Sequence, residues 1–571
     1  MLTRALLMTS SLSEGFRYVE LTFPKQPDYA GGVSLESLEF VVIRSSVDLA
    51  GDLTVSDPML QHVHHNYLYG QASNLMMVPS DCDNRDERFG WTGDSSLTAD
   101  EASLNFDLSS FYDNWARMLD DSAQNGAVAC WVPGGVGHSS PPAGGSCDAS
   151  WGSAYPSVVW ALVKWSGDVL APQRYWTGLA RFIDNEYGRT LPKGNSTQHD
   201  VKNIFSGLGD WVPPKTSVDN PSFKSEPRGD SKYAAGVAFL RNVRQMKEMA
   251  SVGGLGDVEV AKYTSMFSEV CKLWHAAWWN ATTHVYESGS QTASVLALEI
   301  SECMPDATVK SAVVDSLVAN IRAHDNHTTS GIIGWRFQPE ALSNNGQAAL
   351  AYALMTQTTY PSIGYEIIGK SGEPATTLWE LWDSDVEGPS MNSRNHIMFG
   401  GNGKWLHTYV GGVDNAPGSV GFDHVLFAPP AGLLEQAVNG AAGGSTSSPP
   451  LVWGTATKAT PKGAVEHSYR LQQSSSVATV GTGSGDGYTG LYVHVAAPAN
   501  TVGTTVVPLL GSDPTKSTIA DSTGAGQVWA AGAFVGQGIA GITGASLDAG
   551  KDAVVIEHGS GVYDFVLTFS K

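Results

Sequence analysis

The chain has 571 residues, 42% hydrophobic and 16% charged, a composition that fits a globular protein and excludes a disordered one. Its 34 Lys and Arg against 56 Asp and Glu leave a net charge of −22, which argues against nucleic acid or an anionic membrane as partner. At this length two or more domains are expected, and no apolar run approaches the roughly 18 residues of a membrane span.

Residues 1–50 read as a partial β segment. Phe16-Arg17-Tyr18-Val19-Glu20-Leu21 alternates, and Phe40-Val41-Val42-Ile43 is a short apolar run. Two or three strands cannot close a sandwich alone, so they must lean on the rest of the chain. Near the start, Arg4 precedes only Ala5-Leu6-Leu7-Met8, shorter than the roughly 7–15 residues of a signal-peptide core, and the compartment stays open.

From about residue 56 the period turns helical. Asp57-Pro58 is an N-cap with proline in the first turn, and Leu60, Val63, Tyr67 and Leu68 form one face. Leu108, Phe111, Tyr112, Trp115, Met118 and Leu119 repeat at helical spacing. Further helical stretches fall near 152–166, 173–187, 231–250, 257–279, 292–302, 307–322 and 340–356. This succession predicts a multidomain, mainly α protein with an α/α toroid, or barrel, over residues 51–412 whose functional loops gather at one end. Residues 438–450 read as a Gly/Ala/Ser/Thr/Pro linker. Runs such as Leu491-Tyr492-Val493-His494-Val495 and Tyr563-Asp564-Phe565-Val566-Leu567 then predict an antiparallel β-sandwich within residues 413–571.

The five cysteines, Cys82, Cys130, Cys147, Cys271 and Cys303, are too few and too scattered for a disulfide framework or a zinc site. Cys130 and Cys147 bracket a Gly/Pro loop, and there a bridge and free thiols both stay open. Of His62, His64 and His65, only His62 and His65 share a helical face, so a surface or packed pair is expected rather than a metal site. The three sequons, at Asn195, Asn280 and Asn326, are close to chance for this length and say little about secretion.

Two segments carry the chemistry. Asp81-Cys82-Asp83-Asn84-Arg85-Asp86-Glu87-Arg88-Phe89-Gly90-Trp91-Thr92-Gly93-Asp94 packs five carboxylates, two arginines and a tryptophan into fourteen residues. A core strand would not bury five acids, because each ionised carboxylate taken out of water needs a partner. A calcium loop fails on spacing: Asp86 stands where glycine is required, Arg85 at a ligand position and Thr92 where the closing glutamate belongs. No metal is expected. Thr376-Thr377-Leu378-Trp379-Glu380-Leu381-Trp382-Asp383-Ser384 holds a second carboxylate between two indoles. Glu87 and Glu380 could each be an ordinary capping or arginine-paired acid, but their flanking tryptophans and loop positions favour function. Paired acids with aromatic faces suggest a glycosidase.

The first segment closely resembles the motif of the α-L-rhamnosidases of glycoside hydrolase family 78. The similarity continues through Phe106-Asp107, Trp151-Gly152, Gly209-Asp210-Trp211, Ala341–Gly346, Tyr360–Tyr365, Thr376–Ser384 and Asn395-His396. It also takes in Gly15–Glu20 and the C-terminal strands. The resemblance implies an inverting hydrolase on an α/α six-hairpin barrel with β-sandwiches around it, needing no cofactor. Glu87 would be the general acid and Glu380 the general base, with Trp379 and Trp382 holding Glu380 in place. Asp86 and its fellow acids Asp81 and Asp94 would favour the protonated acid by like-charge repulsion. Asp81, Arg85 and Asp94 match positions that bind rhamnose hydroxyls, and His396 matches a histidine that contacts the sugar. Rhamnose is a 6-deoxy sugar, and Trp91, Trp151 and Trp211 would supply apolar walls for its methyl group.

Three departures stand out: Asp83-Asn84 replaces Pro-Gln, Ser153 replaces an Asp, and the spacing from Glu380 to His396 is short. Relatives also carry β-domains upstream of Gly15, which suggests a truncated form here. The expected partner is a carbohydrate, a rhamnoside. Another glycosidase on the same toroid, or a non-catalytic carbohydrate-binding homologue, are the alternatives, and the oligomeric state is not legible.

Overall fold

The computed structural model describes residue 37 and residues 42–570, apart from 85–86, 124–125, 135–146, 192–197, 205–206, 218–219, 370–373, 388–391, 441–448, 474–486 and 523–525. The expected strand at 16–21 lies outside the described residues. Val42 and Ile43, the described end of the second run, are exposed and in no strand.

The helical part opens as anticipated. Asp57 accepts from the N–H groups of Met59 (2.7 Å) and Leu60 (3.0 Å), and the helix Pro58–Ser73 follows. Helices then fall into two kinds. Ser109–Ser122, Ala171–Arg189, Asp257–Trp278 and Ala307–Ala323 bury one face. Thr92–Asn105, Ala154–Lys164, Gln291–Glu299 and Ile332–Ser343 are buried almost all round. The buried kind are neighbours: Thr92–Asn105 packs on Ala154–Lys164, and that helix packs on Ser231–Val252. Gln291–Glu299, Ile332–Ser343 and the 3₁₀ turn Ile397–Asn402 follow, and the turn packs back on Thr92–Asn105. Arg336 pins this ring, donating to Leu97 O at 2.9 Å while pairing with Asp100 (2.9 Å) and Glu340 (2.6 Å).

The single helix anticipated over 340–356 is two, Ile332–Ser343 and Ala348–Met355, split where Gly346 takes φ +75°. The cysteine reading also needs correction. Cys130–Cys147 and Cys271–Cys303 are both disulfides with Cα atoms 4.8 Å apart, while Cys82 is a buried free thiol. Helix packing brings Cys271 and Cys303 together across 32 residues, which spacing alone does not reveal.

The C-terminal strands form an eight-stranded and a five-stranded sheet. Tyr488–Ala497 pairs antiparallel with Gly561–Thr568, setting Leu491, Val493 and Val495 opposite Leu567, Phe565 and Tyr563 on a buried face. Gly51–Val55 joins the larger sheet beside Trp453–Thr460. The expectation of purely antiparallel pairing fails at one place. Val502–Pro508 runs parallel to His424–Phe427, whose strand is reached by a long connection rather than a hairpin.

Candidate active site

The acid-rich loop folds back on itself. Asp81 donates its N–H to Phe89 O (3.0 Å) and accepts the Phe89 N–H on Oδ1 (2.9 Å), with the Cys82 thiol 3.1 Å from Oδ2. The two glycines are there because nothing larger fits. A Cβ on Gly90 would stand 2.1 Å from Val132 O, and one on Gly93 would stand 2.3 Å from the Trp151 indole. Trp91 therefore lies alongside Trp131, bridged by its backbone and anchored through the Cys130–Cys147 disulfide. Its Nε1 donates to Glu87 Oε1 at 2.7 Å, which fixes one oxygen of the expected acid. Phe89 and Trp91 both pack on the Trp131 ring, with centroids 5.6 and 5.1 Å away, making an aromatic wall beside Glu87. Trp131 was not singled out in the sequence, where its only signal is an aromatic next to Cys130. Arg85 and Asp86 lie outside the described residues.

The second segment comes to the first by strand-like pairing. Glu380 donates its N–H to Ser393 O (2.8 Å), and His396 donates its own to Leu378 O (2.9 Å). The Glu380 carboxylate is buried, and its Oε2 accepts the Ser393 N–H at 2.7 Å. Trp379 lies under the Arg394 guanidinium, and Trp382 is buried against Trp335 and Phe399. His396 forms a backbone bridge to Cys82, which joins the two segments. Its ring then stands among three acids. Nδ1 is 3.4 Å from Asp94 Oδ1, and Nε2 is 3.9 Å from Glu380 Oε1 and 4.0 Å from Asp81 Oδ2. Among the described residues neither Asp94 Oδ1 nor His396 Nδ1, both buried, has an aligned hydrogen bond.

Electrostatics follows from this crowding. Burial, reinforced by Asp81 and Glu380 and opposed by His396, pushes the Asp94 carboxyl up to about 7. Burial also raises Asp81, with the imidazole of His396 opposing and Glu87 adding to the rise.

Trp151 is buried at the head of its helix. Asp148 accepts the N–H groups of Ser150 (2.7 Å), Trp151 (3.2 Å) and Leu208 (3.1 Å) and so holds that turn. Trp211 is half-buried under the Arg228 guanidinium, and among the described residues no ring contact ties it to the acids. Its neighbour Asp210, not chosen from sequence, caps the helix Ile332–Ser343. Asp210 accepts from Gly331 (2.7 Å), Ile333 (2.8 Å), Gly334 (3.1 Å) and the Thr292 hydroxyl. Among the described residues one trio of metal-ligating side chains comes together, Asp81, Cys82 and Glu87, with donor atoms within 4.8 Å of one another.

Acids gathered around one imidazole, beside an indole-lined wall, at the ends of a ring of buried helices, are parts suited to a carbohydrate site. A family model described as the bacterial alpha-L-rhamnosidase six-hairpin glycosidase domain matches residues 48–410, and the chain belongs to this family. It is 30% identical over 436 residues to an alpha-L-rhamnosidase of Streptomyces avermitilis, covering 74% of this chain and 38% of that protein. With an alpha-L-rhamnosidase of Formosa agariphila it shares 26% identity over 510 residues, covering 88% of this chain and 48% of the relative. The chain thus spans less than half of these relatives' length. Among solved structures, alpha-L-rhamnosidase from Dictyoglumus thermophilum superposes with a TM-score of 0.73 at 25% identity, covering 95% of this chain and 53% of that one. The Streptomyces avermitilis enzyme complexed with L-rhamnose gives 0.71 at 25% identity, covering 92% and 42%. No described helix is long and apolar enough to cross a membrane.

Proposed function

We propose that the chain is an α-L-rhamnosidase that hydrolyses terminal α-L-rhamnosides with inversion. The observation that carries this reading is the convergence of Asp81, Asp94 and Glu380 on His396, with Glu87 held by Trp91 on the adjoining loop. Glu87 is the general acid that protonates the leaving oxygen. Glu380 is the general base that takes a proton from water as that water attacks the anomeric carbon from the opposite ring face. Such a pair needs roughly 6.5–9.5 Å between carboxyl groups for the water to fit. Asp81 and Asp94 accept hydrogen bonds from sugar hydroxyls, Arg85 donates to them, and His396 orients the acids while contacting the ring. Trp91 and Trp151 wall the methyl side. Trp211 is the weaker member of that set, since Arg228 covers its indole. The ring of buried helices supports an α/α toroid, and the two C-terminal sheets support a β-sandwich.

The test is release of nitrophenol from p-nitrophenyl α-L-rhamnoside by the purified chain, with the anomer of the released sugar followed by NMR. Turnover with initial β-rhamnose, lost in Glu380→Gln, is the expected result. A folded chain that binds rhamnose without turnover would replace the enzyme reading with a carbohydrate-binding one.

A further inference from the structure

Behind the site lies a buried acid to which the mechanism gives no role. Glu366 sits in the short helix Ile363–Ile368, fully out of solvent. Burying a carboxyl costs free energy, and an apolar side chain would fill the same space at none. Its position suggests what offsets the cost.

The backbone of Leu378–Glu380 is held by partners on two sides. On one side, Leu378 O and Glu380 N pair with His396 and Ser393. The Trp379 N–H points the other way, into the interior, where a buried donor without an acceptor would cost about 1–3 kcal/mol. The hydrogen bond we find for it runs to Glu366 Oε2, at 3.3 Å. The same helix also secures the start of the segment, because Glu366 O accepts the Ala375 N–H at 2.9 Å. From a second direction, Asn66 donates to Ala375 O at 3.1 Å. Among the described residues Glu366 Oε1 has no hydrogen-bond partner, so there the carboxyl serves one donor.

We propose that Glu366 is a positioning residue for Glu380: its carboxyl holds the Trp379 amide and thereby fixes the segment that presents the base. The inference rests on Glu380 being the general base. Burial, with Asp385 adding to it, pushes the Glu366 carboxyl well above the ordinary range. That shift favours the protonated form, and glutamine is a close mimic of it, since an amide oxygen also accepts the Trp379 N–H.

The experiment compares Glu366→Gln and Glu366→Met in two readouts. One is amide hydrogen exchange in the peptide covering residues 375–384. The other is kcat and KM on p-nitrophenyl α-L-rhamnoside. Met keeps the volume and removes the acceptor, so exchange in that peptide is expected to rise and kcat to fall about tenfold with KM within about twofold, the pattern of a misplaced catalytic group. Gln is expected to restore both. Exchange unchanged in Glu366→Met, or a Gln variant as impaired as the Met one, overturns the proposal. A parent without turnover would sink the rhamnosidase reading, yet the exchange comparison would still decide whether Glu366 holds the segment. Should Glu366→Met not fold, an unprotected Trp379 amide in the parent overturns it as well.

Discussion

Asp210 and Asp94 are both buried carboxylates at the N-terminal ends of helices in one packed ring, and their surroundings treat them oppositely. Three backbone N–H groups and the Thr292 hydroxyl converge on Asp210. Asp94, just as deep, keeps Oδ1 without an aligned donor, 3.4 Å from an imidazole whose facing nitrogen is also unsatisfied. Burial raises both acids, so the direction of the shift does not separate them. Hydrogen bonding does. A saturated carboxylate is spent on holding the fold, whereas an unsaturated one in a polar pocket has acceptor capacity left for a ligand's hydroxyls. Removing the first kind should therefore cost stability, and removing the second should cost chemistry or change the pH response.

The largest effects test the chemical side. Glu87→Gln and Glu380→Gln should each lower kcat about 10³-fold on a rhamnoside with a poor leaving group, the usual range for losing an acid or base. On p-nitrophenyl rhamnoside the two should part company. Nitrophenolate leaves with little protonation, so Glu87→Gln recovers much of its rate while Glu380→Gln does not. Equal losses on both substrates would break the assignment of acid and base.

Next in size is the pH response of Asp94. Its carboxyl titrates near 7 in the folded chain against an ordinary value of 3.8, so the native state binds the proton more tightly than the unfolded one. Its stabilising contribution is complete below 3.8 and disappears as pH rises through about 7, at about 1.4 kcal/mol for each pH step between those two values. Thermal denaturation across that window should show the parent losing stability with rising pH more steeply than Asp94→Asn. Parallel curves would mean that Asp94 is solvated like a surface acid.

Asp210→Asn should act through the fold alone. One amide oxygen cannot replace two carboxylate oxygens serving four donors, and the new NH₂ faces donors rather than acceptors. A loss of about 2–3 kcal/mol in denaturant unfolding is expected, with KM of the folded enzyme unchanged. A changed KM at unchanged stability would move Asp210 into the pocket.

How much of this was legible follows from where each signal lies along the chain. Asp81–Asp94 declares itself because acids, glycines and an indole sit side by side. Ser109–Ser122 does too, because a helix with one buried face carries a period. Thr92–Asn105 carries none: it is buried all round, and Ser95, Ser96 and Thr98 return their hydroxyls to their own helix's carbonyls. Ile332–Ser343 is hidden by the proline within it. The capping role of Asp210 spans more than 120 residues, and the meeting of Cys82 with His396 spans over 300, so neither is local enough to read.

Trp131 belongs to the same class, and it gives the smallest and most discriminating prediction. Its indole packs on both Phe89 and Trp91 while Trp91 holds Glu87, so it could act as a wall for substrate or as a brace for the acid. Aromatic pairs contribute roughly 0.5–1.5 kcal/mol beyond area, which corresponds to a several-fold effect. If the wall role dominates, Trp131→Leu raises KM about fivefold and leaves kcat near the parent. If the brace dominates, kcat falls instead, and the fall shrinks on p-nitrophenyl rhamnoside, because a displaced acid matters less when the leaving group needs no proton. The wall role is the expected one, since the hydrogen bond that fixes Glu87 comes from Trp91 itself and the Trp91 backbone stays paired to residue 131 whatever its side chain.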